Sequence, residues 1–328
     1  MSEILVTGGA GYIGSHVVRR LAEKNFTPLV YDNLSGGFRD FVRGFDFIEG
    51  DIGDYEALTK LFRARKISCV MNFASYIAVG ESVRDPLKYY DNNVSKTFTL
   101  FRAMRDAGVK NFIFSSSAAV YGDPESTPIV EESPLRPASP YGRTKYFIEE
   151  ALRDLEVSDA FQSVRLRYFN AAGADASGDI GESHVPETHL VPLVLRAALD
   201  PSYTITVFGR NYDTADGTCV RDYIHVNDLA DAHVLAVERL LAGKGSAAYN
   251  LGNGSGFSVL EVIESVRRVT GASFSVADGQ RRPGDPAVLI ASSRKAMEEL
   301  GWTPRFTKLD EIVETAWRWE RQGNRKGW

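Results

Sequence analysis

The chain has 328 residues, 44% of them hydrophobic, with 38 Lys and Arg against 43 Asp and Glu and a formal charge of −5. That length supports a large buried core in one large domain or two interlocked ones; its basic residues are scattered among acids and form no stripe to follow a phosphate backbone, so no nucleic-acid partner is expected. No apolar run approaches the ~20 residues of a membrane span and no signal-type segment follows Met1, so no membrane association and a cytoplasmic location are expected.

Cys69 and Cys219 make no disulfide framework. Cys69 reads as a core residue within "SCVMNFA", while Cys219 lies in the polar stretch "DGTCVRDY", where a reactive thiol is conceivable. The five histidines (His16, His184, His189, His225, His233) lack Cys/His zinc spacing, so no metal is expected.

In chain order, short apolar runs predict strands over 3–9, 27–32, 45–51, 68–74, 111–117 and 161–169, alternating with helical patterns over 12–24, 54–65, 91–107 and 141–156. This rhythm implies a parallel sheet covered on both faces. The rhythm loosens after about residue 170, and "AAGADASGDIGE" reads as a boundary loop. Helices near 189–199, 228–242, 259–270 and 309–322 follow, with short strands at 204–209 and 247–252. Ser258 and Glu261 form a capping-box start, and Trp317 and Trp319 on the last helix suit packing. The expected fold class is α/β. A doubly wound parallel-sheet (Rossmann) domain is expected over 1–171, with returning segments near 222–252, and a smaller mixed α/β C-terminal substrate domain over mainly 172–328.

"VTGGAGYIGSH" follows the first strand and opens the first helix. Gly8, Gly11 and Gly14 permit a tight turn, close approach of a pyrophosphate and packing of helix on sheet, while the helix N-terminus offers free amides. The second strand ends in "VYDN", which puts Asp32 eighteen residues after Gly14. A carboxylate there accepts hydrogen bonds from the adenosine ribose and repels a 2′-phosphate, favouring NAD over NADP.

The glycine spacing differs from G-x-G-x-x-G and resembles that of the extended short-chain dehydrogenase/reductase superfamily. That resemblance implies further cofactor contacts at Tyr12, Ile13, Asn33, Asp51, Ile52, Phe73, Ala74, Asn92, Ser115 and Phe169.

"SPYGRTK" places Tyr141 and Lys145 at i, i+4 on one helical face, and "FSSSAAVYG" puts Ser117 at the carboxyl end of a strand, the ligand edge of an open parallel sheet. Together they resemble the Ser, Tyr and Lys of the same superfamily. An ammonium ~6 Å from a phenol, at an effective dielectric of ~20, favours phenolate by roughly 3 kcal/mol, about 2 pKa units. Tyr141 is then expected to act as general base on a hydroxyl, with Ser117 holding the same oxygen while hydride moves to NAD.

From "AVGESVRDPLKYYDNNV" through "RYFNAAGA", "GTCVRDYIHVNDLADAH", "YNLGNG" and "RRPGDPAV", essentially the whole chain is similar to the UDP-glucose 4-epimerases, also called UDP-galactose 4-epimerases. The resemblance implies substrate contacts at Asn170 by the sugar and phosphates, Leu190 by its backbone, and Phe208 against uracil. It puts Arg221 and Arg282 on the diphosphate and Asp285 on the ribose. Two guanidinium groups suit a dianionic pyrophosphate. It further implies reversible C4 epimerisation through a 4-keto sugar with NAD staying bound, and a homodimer through helices near 91–107 and 141–156.

Asn72 and Ile77 stand where some epimerases carry His and Lys, and His189 where some carry Asn. Leu289 matches a tyrosine position that excludes N-acetyl sugars in some members, so activity on UDP-N-acetylhexosamines is expected. Among alternatives, a nucleotide-sugar dehydratase is disfavoured because Ala118 and Ala119 follow Ser117 and cannot transfer protons. A 4-epimerase for UDP-glucuronate or UDP-arabinose stays open, and retention of all three catalytic residues argues against a non-catalytic NAD sensor.

Overall fold

The structure, a computed structural model, describes residues 2–282 and 284–323. Seven parallel strands form the central sheet in the order β10-β6-β5-β4-β1-β2-β3. They are β1 (Glu3–Thr7), β2 (Thr27–Asp32), β3 (Asp46–Glu49), β4 (Ile67–Asn72), β5 (Asn111–Ser117), β6 (Gln162–Tyr168) and β10 (Ala247–Leu251). The inner strands are apolar nearly throughout because both faces are covered. Ile4, Val6, Val30, Met71 and Ile113 enter one core with helices α1 (Tyr12–Glu23) and α8 (Val226–Leu241). Their neighbours Leu5, Leu29, Val70, Phe112 and Phe114 enter the other, against α2 (Tyr55–Ala64), α5 (Lys96–Asp106) and α6 (Pro140–Ser158). Each large side chain so buried contributes roughly 1.5–3 kcal/mol.

The chain runs from β1 outward through β2 to β3, then returns to β4 on the other side of β1. The strand order therefore reverses between β1 and β4, where a crevice opens at the carboxyl ends. The helix expected over 91–107 is present, but its first part is wound as a π-helix. After α3 (Val79–Arg84), α4 (Pro86–Tyr89) leads into a π-helical turn at Tyr90–Ser95, and α5 starts only at Lys96. The wider turn lets Asn93 leave the helix face. Its side chain takes the backbone N–H and C=O of Tyr76 at 2.9 and 3.0 Å, and its amide donates to Thr144 Oγ1 at 3.2 Å.

Beyond β6, β7 (Asn170–Ala172) pairs with β9 (Val220–His225), which also pairs with β11 (Gly256–Ser258) and β13 (Val288–Leu289). A second small sheet joins β8 (Ile205–Phe208) to β12 (Val276–Gly279). Around these lie α7 (Leu190–Leu199), α9 (Val259–Thr270) and α11 (Leu309–Arg321), packed on their own core of Val194, Leu195, Val262, Ile312 and Val313. The Ser258–Glu261 capping box is present at α9.

The chain rejoins the large sheet through α8 and β10. Helix α10 (Arg294–Leu300) packs there too, with Trp302 in the first core. Residues 222–225, expected within that return, lie in β9 of the smaller sheet, because β9 finds its hydrogen-bond partners in β7, β11 and β13. Residues 324–328 of the expected substrate domain, and Pro283 within "RRPGD", lie outside the described residues.

Helix α6 is fixed to the sheet by a buried ion pair. Arg167 on β6 donates to both Glu149 carboxylate oxygens, at 2.9 Å from Nε and 2.5 Å from Nη2. Ser116 donates to Glu149 at 2.6 Å, and Tyr121 accepts from Arg167 at 2.8 Å. Every charge in the cluster is matched, as a pair this dry requires.

Candidate active site

The carboxyl end of β1 turns sharply at Gly8, whose φ of +71° suits glycine; a methyl group there would sit 2.5 Å from the Ala74 nitrogen. At Gly14 a methyl would meet the Gly8 carbonyl oxygen at 2.4 Å. Helix, loop and the exit of β4 are thus in backbone contact. Gly11 occupies the N-cap of α1 and brings no side chain to cap it. The first-turn amides, at Tyr12, Ile13 and Gly14, therefore receive no side-chain cap, the arrangement that suits an anion.

Asp32 ends β2 nearby, buried, accepting from the Ala10 and Leu34 amides at 2.9 and 2.8 Å. Burial raises its pKa, and those two amides oppose the rise. A carboxylate has about four acceptor sites, so two remain for ribose hydroxyls. Glycine cradle, uncapped helix and acceptor together fit a dinucleotide.

The remaining expected cofactor residues line the same edge or brace it. Asp51 holds the Asn33 amide at 2.9 Å and the Lys96 ammonium at 2.7 Å, and Ile52 is buried beside it. Phe73 packs 4.9 Å from the His233 ring, and Ala74 donates its N–H to Asn72 Oδ1 at 3.0 Å. Asn72, a departure from some epimerases, also accepts from Thr7 at 2.9 Å and so ties β4 to β1. Asn92 donates to Asn93 at 3.1 Å. Ser115 and Tyr168 share a short hydroxyl hydrogen bond. Tyr12 donates to the Gly173 carbonyl at 2.6 Å, joining α1 to the loop after β7.

Tyr141 and Lys145 meet Ser117 as expected. Ser139 caps α6 by accepting the Gly142 N–H, with Pro140 at the first helical position. Gly142 lets the helix start press on the β5 exit, since a methyl there would lie 2.5 Å from the Ala119 carbonyl. That contact brings the Tyr141 phenol close enough to the Ser117 hydroxyl for the serine to favour its ionised form. Ser117 also accepts from the Ala119 N–H at 3.2 Å. Lys145, only 2% exposed, donates to the Ser115 carbonyl at 2.8 Å and to Ser75 Oγ at 3.0 Å. Its ammonium lies 5.8 Å from the Tyr141 ring centre, close to the separation expected from sequence.

The electrostatic consequence expected for Tyr141 does not follow, and burial is the reason. Desolvation raises the Tyr141 pKa above 10, with only the Ser117 hydrogen bond acting against it. The same burial lowers Lys145 from 10.5 to about 7. The amine that was to stabilise phenolate thus carries little charge above neutral pH in the cofactor-free protein.

Sequence reasoning missed Ser75, Ser82 and Asn93. Ser82 accepts the Tyr141 N–H at 3.1 Å, and these partners are separated by 51 to 70 residues, so no local spacing reveals them.

On the substrate side, Arg221 donates to Asp285 at 2.5 Å and Tyr212 donates to its other oxygen at 3.2 Å. Arg282 lies over the exposed Phe208 ring at 4.4 Å, a cation–π contact. Leu289 is in register with Arg221 and, like Phe169 after β6, packs against a cluster of Ile129 with Ala118, Val120 and Tyr121 from the segment that follows Ser117. Asn170 opens β7, opposite Tyr223, and Leu190 opens α7. Cys219 is half-buried with its pKa raised by burial, which keeps it a thiol.

The chain matches the NAD dependent epimerase/dehydratase family over residues 4–252. It is 49% identical to the UDP-glucose 4-epimerase of Rhizobium meliloti (strain 1021) over 326 residues, 99% of each chain. The UDP-glucose 4-epimerase from Brucella ovis, solved in complex with NAD, is 48% identical and superposes with a TM-score of 0.94, over 96% of this chain and 97% of that one. The UDP-Glc/GlcNAc 4-epimerase from Campylobacter jejuni is 41% identical with a TM-score of 0.86, over 98% and 100% of the two chains.

Because burial depresses Lys145, the unfolded chain binds its proton between pH 7 and 10.5 while the folded chain does not, so stability rises with pH across that window. In cofactor-free protein, the stability of wild type minus that of Lys145→Met should rise from pH 7 to pH 9 by up to ~1.4 kcal/mol per pH unit. Chemical denaturation at the two pH values measures it. Parallel slopes would mean that Lys145 keeps its usual proton affinity.

Proposed function

Because the chain belongs to the NAD dependent epimerase/dehydratase family, we propose a division of labour within the site of an NAD-dependent isomerase. The protein catalyses reversible C4 epimerisation of UDP-glucose and UDP-galactose through a 4-keto sugar. The observation that carries the assignment of roles is the meeting of Ser117, Tyr141 and Lys145 at the carboxyl end of β5, beside the uncapped start of α1. Gly8, Gly11, Tyr12, Ile13, Gly14 and Asp32 would hold the cofactor's phosphates and ribose, with Asp51, Ile52, Phe73, Ala74 and Asn92 along the same edge. Bound NAD supplies a reversible hydride acceptor and, when oxidised, a positive charge.

In our reading Ser117 holds the sugar O4, and Tyr141 takes its proton as the C4–H bond breaks and the ketone forms. Tyr141 returns that proton when hydride is delivered to the other face, so protons and electrons balance and the net redox change is zero. Since burial opposes both charged forms, Tyr141 becomes a base only when cationic charge is added near it, which couples proton removal to cofactor oxidation state. Lys145 orients the pair through Ser115 and Ser75.

Arg221, Arg282, Asp285, Phe208, Asn170 and Leu190 would anchor the UDP portion, leaving the hexose free to turn. Arg221 and Asp285 are already paired, so ribose binding would compete for one carboxylate. Residues 1–171 with α8 and β10 read as the dinucleotide unit, and the rest of the chain mainly as the nucleotide-sugar unit. The cytoplasm suits the two free cysteines. Among the described residues no helix is long and apolar enough to cross a membrane.

Incubation with UDP-galactose and no added NAD should yield UDP-glucose by chromatography, and Tyr141→Phe should slow this by roughly 10²-fold or more. Near-normal turnover of Tyr141→Phe with an unchanged pH profile would remove the tyrosine from this role. Leucine at 289 leaves room for an N-acetyl group, so Leu289→Tyr should lower activity on UDP-N-acetylglucosamine relative to UDP-glucose; an unchanged ratio excludes a gate here. Exposed Phe98 on α5, Phe147 on α6 and Leu87 on α4 support a homodimer through these helices. Light scattering should report a dimer that Phe98→Glu with Phe147→Glu converts to monomer, and a monomeric wild type would refute it.

A further inference from the structure

We propose that Glu182, His184, Glu187 and His189, in the loop leading into α7, form a site for one divalent transition-metal ion of the zinc class. The absence of Cys/His spacing gave no hint of it, because half the donors are carboxylates in the pattern E-x-H-x-x-E-x-H. The loop folds back so that their donor atoms all lie within 4.8 Å of one another. Both imidazoles turn the same nitrogen, Nδ1, toward one Glu182 oxygen, at 3.2 Å from His184 and 2.8 Å from His189. Glu187 completes the group, with Oε2 3.7 Å from His184 Nδ1 and Oε1 2.8 Å from His189 Nδ1. Tetrahedral coordination with bonds of ~2.0–2.2 Å places ligand atoms about 3.3–3.6 Å apart, so the observed spacings bracket what an ion at their centre requires.

The donors are held in place from outside the cluster. The Glu182 carbonyl accepts from Trp319 Nε1 at 3.0 Å. The Glu187 oxygen nearest His189 Nδ1 also accepts the Thr188 and His189 amides at 2.7 and 2.8 Å, which fixes the carboxylate. The Tyr12 ring meets His184 edge-on at 6.1 Å. The carboxylate side chains are almost wholly buried, whereas the imidazoles keep 23% and 35% exposure, an entry path from solvent.

Two nitrogens and two oxygens select a borderline ion over magnesium or calcium, which prefer oxygen ligands. The ion would cross-link 182–189 between Tyr12 on α1 and the start of α7, and its role would be structural.

The protein with its cofactor, stripped with chelator and then dialysed against zinc chloride, should retain about one zinc per chain by elemental analysis. Replacement by Co(II) should give the intense visible absorption of a four-coordinate site. His184→Gln and His189→Gln should each lower zinc affinity by roughly tenfold or more, with the far-UV circular dichroism of wild type. Wild-type protein that retains no zinc, binds Co(II) with the weak absorption of six-coordination, or holds zinc equally well in the double variant overturns the proposal. The cobalt spectrum of wild type decides the matter even if a variant fails to fold.

Discussion

The structure depends on one topological constraint, the reversal of strand order between β1 and β4 in a wholly parallel sheet. Parallel strands put all their carboxyl ends on one edge, and helices on both faces leave that edge as the place where side chains from distant segments can converge. Gly8 and Gly14 draw the β1 turn against the exit of β4 until backbones touch. Ser117, at the end of β5, and the first turn of α6 reach the same edge. The Glu149–Arg167 pair keeps α6 in that register.

Within this frame, desolvation outweighs attraction. At ~6 Å a Lys–Tyr interaction amounts to about 3 kcal/mol, enough to activate a tyrosine in a wet site. Here both partners are buried, and each is pushed toward its neutral form. A site built this way resists removing a proton from a hydroxyl until cationic charge is added nearby. For an isomerase that must not strand its keto intermediate, the proposed linkage would keep proton and hydride movements in step.

The smaller unit is built on a different principle. The groups proposed to anchor the nucleotide are paired with one another, Arg221 with Asp285 and Arg282 with Phe208, and they sit at strand ends and in the connection before β13. Paired charges can exchange partners on binding at less desolvation cost than lone ones. The loop of Glu182, His184, Glu187 and His189 links this unit to α1 through Tyr12, with matched charges again in place of an apolar core.

The elements legible in the chain were those whose signal is local. Apolar runs marked the six strands of the first half, the Ser258–Glu261 box marked the start of α9, and four-residue spacing put Tyr141 and Lys145 on one face. Glycine placement and Asp32 pointed to the proposed dinucleotide edge for the same reason, since strand end, turn and helix start are adjacent in sequence. The π-helical turn at Tyr90–Ser95 escaped because Asn93 is drawn out by Tyr76 and Thr144, one of them 51 residues away. The placement of β9 in the smaller sheet followed from partners 53 residues upstream and 34 to 68 downstream. The charge state of Lys145 was beyond any local pattern, because a pKa is set by how much water all neighbouring segments exclude together. Periodicity and turn chemistry are properties of a few consecutive residues and were settled by the chain itself; strand pairing, convergence and dielectric exist only once remote segments have packed.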